Sequence, residues 1–156
     1  MQQNKKILVW KTIYKKGHHS EKEAKDGDQF FQGYFYKNKM MSVRIDKNLG
    51  KKNQTTVFET FYKNKRLRQQ LFIDSKINEH TKYYKNFRKK YYCLYDLDSD
   101  RKVSILYYKN GNHKEINYYK NHKKDGKCFE FDKKGVITYE KEYYNDILIN
   151  KRKVYG

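Results

Sequence analysis

Acidic residues and histidines form two short stretches whose composition suits a metal ion. The stretch DLDSDRK (96–102) places aspartates at alternate positions, as a calcium-binding loop does, but it lacks that loop's later glycine and glutamate. Because aspartate is a common turn former, we expect a plain turn there. The pair His18 and His19 has no cysteine or second histidine pair nearby, and therefore predicts a solvated segment. The sequence predicts no metal site.

The residue types used in covalent and acid–base catalysis are present but lack the spacing that catalysis needs. The serines show no nucleophile-elbow pattern. Cys93 and Cys128 lie in separate strand-like stretches without a nucleophile signature, so they are expected to be buried reduced thiols. No glycine-rich phosphate loop occurs. We expect no catalytic residue, no cofactor and no enzymatic activity.

Lysine and arginine concentrate around a recurring aromatic-Tyr-Lys-Asn motif. Its copies are FYKN (35–38), FYKN (61–64), YYKN (83–86), YYKN (107–110), YYKN (118–121) and the related YYND (143–146). The asparagines of successive copies, ending with Asn145, are separated by 26, 22, 24, 11 and 24 residues. An interval of eleven fits one strand and one turn, whereas the longer intervals fit two of each. The motif therefore reports a repeat of hairpins.

The segments between turns predict β-strands joined into an all-β meander. VSILYY (103–108) and KCFEF (127–131) are rich in aromatic and β-branched residues, and turn residues recur roughly every twelve positions. Short connections make consecutive strands pair antiparallel, giving one elongated sheet of about ten strands. Residues 1–30 are expected to form an N-terminal strand and a polar loop, in preference to a short helix starting at Ser20. Residues 31–156 are expected to form one continuous domain.

Alternation of the turns predicts one strongly basic edge of this sheet. Turns of a meander fall alternately on its two long edges, so KNK (37–39), KNKRLR (63–68), KNFRKK (85–90) and KNGNHK (109–114) share one edge. This edge, called the basic edge below, contains no acidic residue in those segments, whereas the opposite edge collects mixed or acidic turns. It should end near residue 114, because the YYKN copy at 118–121 falls on the opposite edge. The predicted partner-binding residues are Lys63, Lys65, Arg66, Arg68, Lys85, Arg88, Lys89, Lys90, Tyr92 and Tyr108.

The repeat resembles the MORN-repeat variant of bacterial proteins of the toxin–antitoxin antitoxin-component type. The most similar stretches are YYKNHKKDGKCFEFDKKGVITYEKEYYND (118–146) and YYKNGNHKE (107–115), and degenerate copies extend back to about residue 31. Most copies lack the turn glycine of that family, and residues 1–30 show no resemblance. The resemblance implies an elongated antiparallel sheet that serves as a binding scaffold without catalytic apparatus. It also implies an antitoxin, immunity or anti-defence role.

Composition is compatible with several anionic partners. The chain carries 37 Lys and Arg against 18 Asp and Glu, a net charge of +19, and its 17 Tyr and 9 Phe argue for a folded chain. Such charge suits nucleic acid, an anionic membrane or an acidic protein, and it is equally the product of AT-rich codon usage. No apolar run is long enough to span a membrane, and no amphipathic anchor helix or signal-peptide core is evident, which predicts a cytoplasmic protein.

The leading functional prediction is a non-enzymatic inhibitor that contacts a protein target such as a nuclease or nucleoprotein. Arginine and lysine of the basic edge would meet acidic groups, and tyrosines would anchor the contact. The alternative is direct binding of RNA or DNA by charge and by base stacking on tyrosine. The oligomeric state is left open.

Overall fold

The described part of the chain forms one open sheet of fourteen strands. The computed structural model describes residues 11–154 apart from residues 18, 38, 49, 50, 52 and 65. The strands are β1 Lys11–Lys16, β2 His19–Asp26, β3 Gln29–Tyr36, β4 Lys39–Lys47, β5 Thr55–Phe61, β6 Leu67–Ile73, β7 Ile77–Tyr83, β8 Lys89–Asp96, β9 Arg101–Tyr107, β10 His113–Lys120, β11 Lys123–Lys124, β12 Gly126–Phe131, β13 Ile137–Tyr144 and β14 Ile147–Lys153.

The all-β meander predicted from the turn spacing is confirmed. Each strand pairs antiparallel with its neighbour in sequence, except that β10 pairs with both the short β11 and β12. The described residues contain no helix, and no strand in them packs across either face of the sheet. The accessible surface is 11573 Å², against roughly 8,500 Å² expected for a compact protein of this mass. The strands are more numerous than the predicted ten, mainly because the sheet begins earlier.

In the N-terminal region a strand occupies the place of the polar loop expected within residues 1–30. β2 covers residues 19–26 and pairs with β3 along its whole length. Its sequence HSEKEAKD places Ser20 opposite Phe35 and Ala24 opposite Phe31. Ser20 and Ala24 are buried because small side chains fit beside these rings, and Lys22, on the same face, lies over the ring of Phe35. Glu21 and Glu23 project to the other face. The strand is held by its neighbour's aromatic residues more than by its own β-propensity.

The two faces of the sheet differ in polarity. Residues paired across strands share a face, so the register traces continuous rows over the sheet. On the apolar face one such row contains a single charged residue, Glu79. The row comprises Ala24, Phe31, Ile45, Val57, Phe72, Glu79, Leu94, Val103 and Tyr118. The corresponding row on the other face is mixed but more polar. It comprises Gln32, Arg44, Phe58, Leu71, His80, Cys93, Ser104 and Asn117.

Candidate macromolecule-binding edge

Three turns of the basic edge are closed by the same backbone hydrogen bond. They span residues 62–66, 84–88 and 108–112, and in each the first residue's backbone N–H donates to the carbonyl of the fifth. The next turn on this edge, residues 132–136, has the same bond. In the turns at 84–88, 108–112 and 132–136 the fourth residue has a positive φ, which accommodates the twist of the paired strands. The edge is therefore a row of similar turns.

In these three turns the motif tyrosine ties its turn to the following hairpin. Its hydroxyl donates to a backbone carbonyl 21 to 23 residues later, which is one hairpin repeat. A carbonyl at the end of a strand would otherwise depend on water, so the bond links neighbouring hairpins directly. The bonds run from Tyr62 to Tyr83 (2.9 Å), from Tyr84 to Tyr107 (2.8 Å) and from Tyr108 to Phe131 (2.8 Å).

The motif asparagine fixes each of these three turns, and in two of them it also reaches the next turn. Its side-chain oxygen accepts the N–H of the residue two positions later, which fixes its own turn. In Asn86 and Asn110 the amide group also donates to the next turn, at the carbonyls of Lys109 and Lys133. The turn-fixing bonds are Arg66 N–H to Asn64, Arg88 N–H to Asn86 and Asn112 N–H to Asn110.

Arg66 and Arg88 bridge from each turn to the following one. The guanidinium of Arg66 donates to the carbonyl of Lys85 at 2.7 Å and stacks over the ring of Phe87, 4.6 Å from its centre. The guanidinium of Arg88 donates to the carbonyl of Asn110. Both arginines remain exposed, so each keeps further N–H donors toward solvent.

The other predicted residues separate into packed and free groups. Arg68 lies over Tyr62 (5.9 Å), Lys89 over Tyr92 (5.0 Å) and Lys90 over Tyr84 (5.9 Å). Tyr92 lies half-buried on the apolar face, paired with Ile105, and Tyr108 is half-buried with its hydroxyl occupied. Lys65 lies outside the described residues.

Within the described residues, three exposed lysines of the edge lie over no aromatic ring. Lys63, Lys85 and Lys109 occupy the same position in successive turns. Their ammonium groups form no hydrogen bond or ion pair within the part of the chain that the structure describes. Adjacent turns are two strands apart, so the lysines follow the edge at a spacing of about 10 Å. They form a repeated array of cations open to solvent.

The chemistry of the edge changes at its next turn. Residues 132–136 contain Asp132, whose carboxylate accepts the N–H groups of Lys134 and Val136. Backbone hydrogen bonding, first from Val136, lowers the pKa of Asp132. An acidic group thus enters the edge beyond residue 114. Lys120, Lys123 and Lys124 lie at the opposite edge, where β10 turns into β11.

The opposite edge uses aspartate where the basic edge uses tyrosine and asparagine. Backbone hydrogen bonds, first from Lys76, lower the pKa of Asp74. A side-chain hydrogen bond from Ser99 is the main cause that lowers the pKa of Asp96. In the predicted turn at 96–102, the carboxylate of Asp100 accepts a hydrogen bond from the hydroxyl of Tyr95. These carboxylates are engaged in local hydrogen bonds, and among the described residues no group of three or more His, Cys, Asp or Glu could hold a metal ion.

Sequence reasoning missed Phe87, which is the most exposed aromatic residue of the basic edge. The equivalent positions in the two following turns are Gly111 and Gly135. All three N–H groups donate to the first carbonyl of their turn, and all three residues have positive φ. The replacement of glycine by phenylalanine in YKNF was visible in the sequence, but its conformational consequence requires the turn type.

The described part of the chain contains no helix that is long and apolar enough to cross a membrane. Comparison of the sequence with models of known protein families and with curated proteins finds no match. The likeness to MORN-type repeats therefore remains a prediction. The structure itself shows the meander, the ladder of tyrosine, asparagine and arginine hydrogen bonds along the basic edge, and the exposed cations beside this ladder.

Proposed function

We propose that this chain is a non-enzymatic binding protein that docks an anionic macromolecule along its basic edge. The observation that supports this proposal most directly is the array of Lys63, Lys85 and Lys109. These lysines are exposed, evenly repeated and unpaired within the described residues. The turns beneath them are fixed by the tyrosine and asparagine bonds. A rigid array of cations loses little conformational freedom in the backbone on binding, which favours affinity.

One form of this function is inhibition of a protein target. The family resemblance supports an antitoxin-like or anti-defence protein, and an acidic surface or the vicinity of a nuclease's substrate channel would suit the edge. Arg66 and Arg88 would contribute bidentate contacts to carboxylates, a geometry that lysine lacks. Tyr92 would contribute from the apolar face, where it is half-buried.

The second form is direct binding of RNA or DNA. The observation that favours it is Phe87, an exposed aromatic ring set among cations. Alternation of cations and aromatic surfaces is the usual chemistry of proteins that bind single strands. Protein and nucleic-acid partners would share the lysine array, so the array can be tested before the partner is identified.

Two triple variants test the function while matching the loss of charge. One changes Lys63, Lys85 and Lys109 to Gln. The other changes Lys76, Lys120 and Lys123 of the opposite edge to Gln. Each purified variant is compared with the wild type for binding to a 20-nucleotide single strand, and for capture of a stoichiometric partner from nuclease-treated host extract.

The proposal expects the first variant to lose binding and the second to retain it. Survival of binding in the first variant would contradict docking on the basic edge. So would the absence of both a stoichiometric partner and binding to the single strand at low salt.

A further inference from the structure

Phe87 occupies a backbone position that favours glycine. Its φ is 66°, and the equivalent Gly111 and Gly135 have φ of 97° and 93°. The left-handed region is unfavourable for a bulky side chain, because the β-carbon crowds the neighbouring backbone. The repeat shows that glycine satisfies the same turn, so the turn itself does not require phenylalanine.

Packing does not account for the side chain either. Phe87 is 58% exposed, so most of its ring is in water. Its described ring contact is the guanidinium of Arg66, 4.6 Å from the ring centre. An exposed cation–π contact is a small compensation for a strained backbone. Strain kept without a matching gain in the folded chain points to a role outside it.

The surroundings of the ring identify the kind of partner. Exposed cations adjoin Phe87 in its own turn, at Lys85 and Arg88, and in the neighbouring turns, at Lys63 and Lys109. Residues 62–64, 66 and 108–112 of those turns add no exposed large apolar side chain. A protein hot spot is typically centred in a wider apolar patch, whereas a lone ring among cations fits the alternating bases and phosphates of a single strand.

We propose that Phe87 is a base-stacking platform for single-stranded RNA or DNA. This inference rests on the proposed function of the basic edge. An unpaired base stacks on the ring face that Arg66 leaves free, and flanking phosphates pair with Lys85 and Arg88. Because any base offers a flat aromatic face, the contact needs no particular sequence. The proposal assigns a ligand contact to a residue that the turn pattern alone would make glycine.

The experiment separates stacking from charge with matched probes. Fluorescein-labelled dT20, U20 and an abasic 20-mer are titrated at low salt, and binding is measured by fluorescence anisotropy. The variants are Phe87→Gly, which restores the repeat residue and keeps the turn foldable, and Tyr144→Ala. Tyr144 provides the control because it is 61% exposed and lies at the end of β13, next to the opposite edge.

Phe87→Gly should weaken binding of dT20 or U20 by about 5- to 150-fold, the range for loss of one base stack. Binding of the abasic strand should be unchanged, and Tyr144→Ala should bind as the wild type. Tighter binding of U20 than of dT20 would identify RNA as the ligand, and the reverse would identify DNA.

If Phe87→Gly binds dT20 and U20 as tightly as the wild type does, the proposal that Phe87 is a base-stacking platform is overturned. If the triple-lysine variant of the basic edge still loses binding, the proposed function survives that result. Failure of the wild type to bind any strand, with a captured protein partner lost in Phe87→Gly, would make Phe87 a protein anchor and overturn the nucleic-acid assignment.

Discussion

The two long edges of the sheet are joined by different chemistry. Along the basic edge, neighbouring turns are tied by side chains, as when Tyr84 donates to the carbonyl of Tyr107. Along the opposite edge they are tied by backbone N–H groups, such as Leu97 to Lys76 (2.8 Å) and Asn121 to Asp100 (3.0 Å). The opposite edge also uses two-residue turns with both φ values positive, at Asn121–His122 and Asn145–Asp146.

This difference explains how one motif serves both folding and binding. In the copies at 61–64, 83–86 and 107–110, the hydroxyl of the tyrosine at the second position and the asparagine side chain make contacts within the sheet, while the lysine between them projects into solvent. Where backbone atoms make the links, as on the opposite edge, the sequence is less constrained and acidic residues enter. The basic edge is thus a structural ladder that leaves Lys63, Lys85 and Lys109 exposed to solvent. The predictions below test this division of roles.

The largest expected effect is on the tyrosine ladder. Tyr84→Ala removes a half-buried ring and leaves the carbonyl of Tyr107 without its protein donor, so it should lower the free energy of unfolding by about 2–4 kcal/mol. Tyr144→Ala removes an exposed ring beside the opposite edge and should change it by less than about 0.5 kcal/mol. Urea denaturation measures both, and equal losses would contradict the structural role of the motif tyrosine.

A smaller effect of opposite sign is expected at Phe87. Phe87→Gly should raise the free energy of unfolding by about 1 kcal/mol, because relief of the left-handed strain exceeds the lost stacking of Arg66. Phe87→Ala keeps the strain and loses the ring, so it should be less stable than Phe87→Gly. Thermal denaturation compares the two variants. An alanine variant at least as stable as the glycine variant would show that position 87 is not strained.

The smallest stability effect concerns pH and belongs mainly to the opposite edge. The pKa values of Asp74 and Asp96 are lowered in the folded chain, so their ionised forms stabilise it above the unfolded pKa, near 3.8. That contribution is lost as pH falls below this value toward the folded pKa. The double variant Asp74→Asn and Asp96→Asn, in which amide oxygens still accept the turn N–H groups, should show a shallower fall of Tm between pH 5 and about pH 3. An unchanged pH profile would contradict the assignment.

The meander and its edges follow from the sequence because turn spacing and strand alternation are local properties. The start of the sheet does not, since β2 depends on Ser20 and Ala24 packing beside Phe35 and Phe31. Charge clustering on the basic edge is likewise visible from turn parity. The engagement of Tyr108 and Arg88 in the ladder is not, because each bond spans one repeat and depends on three-dimensional register.

The salt dependence of single-strand binding tests the central claim most directly. Affinity for dT20 is measured by anisotropy over a series of salt concentrations for the wild type and the two triple-lysine variants, each of which lowers the formal net charge by three. Removing three phosphate contacts should reduce the slope of log affinity against log salt by about 2 for the Lys63, Lys85 and Lys109 variant. The variant of Lys76, Lys120 and Lys123 should keep the wild-type slope. Equal slopes in the two variants would contradict the account, since binding would then follow net charge and not the basic edge.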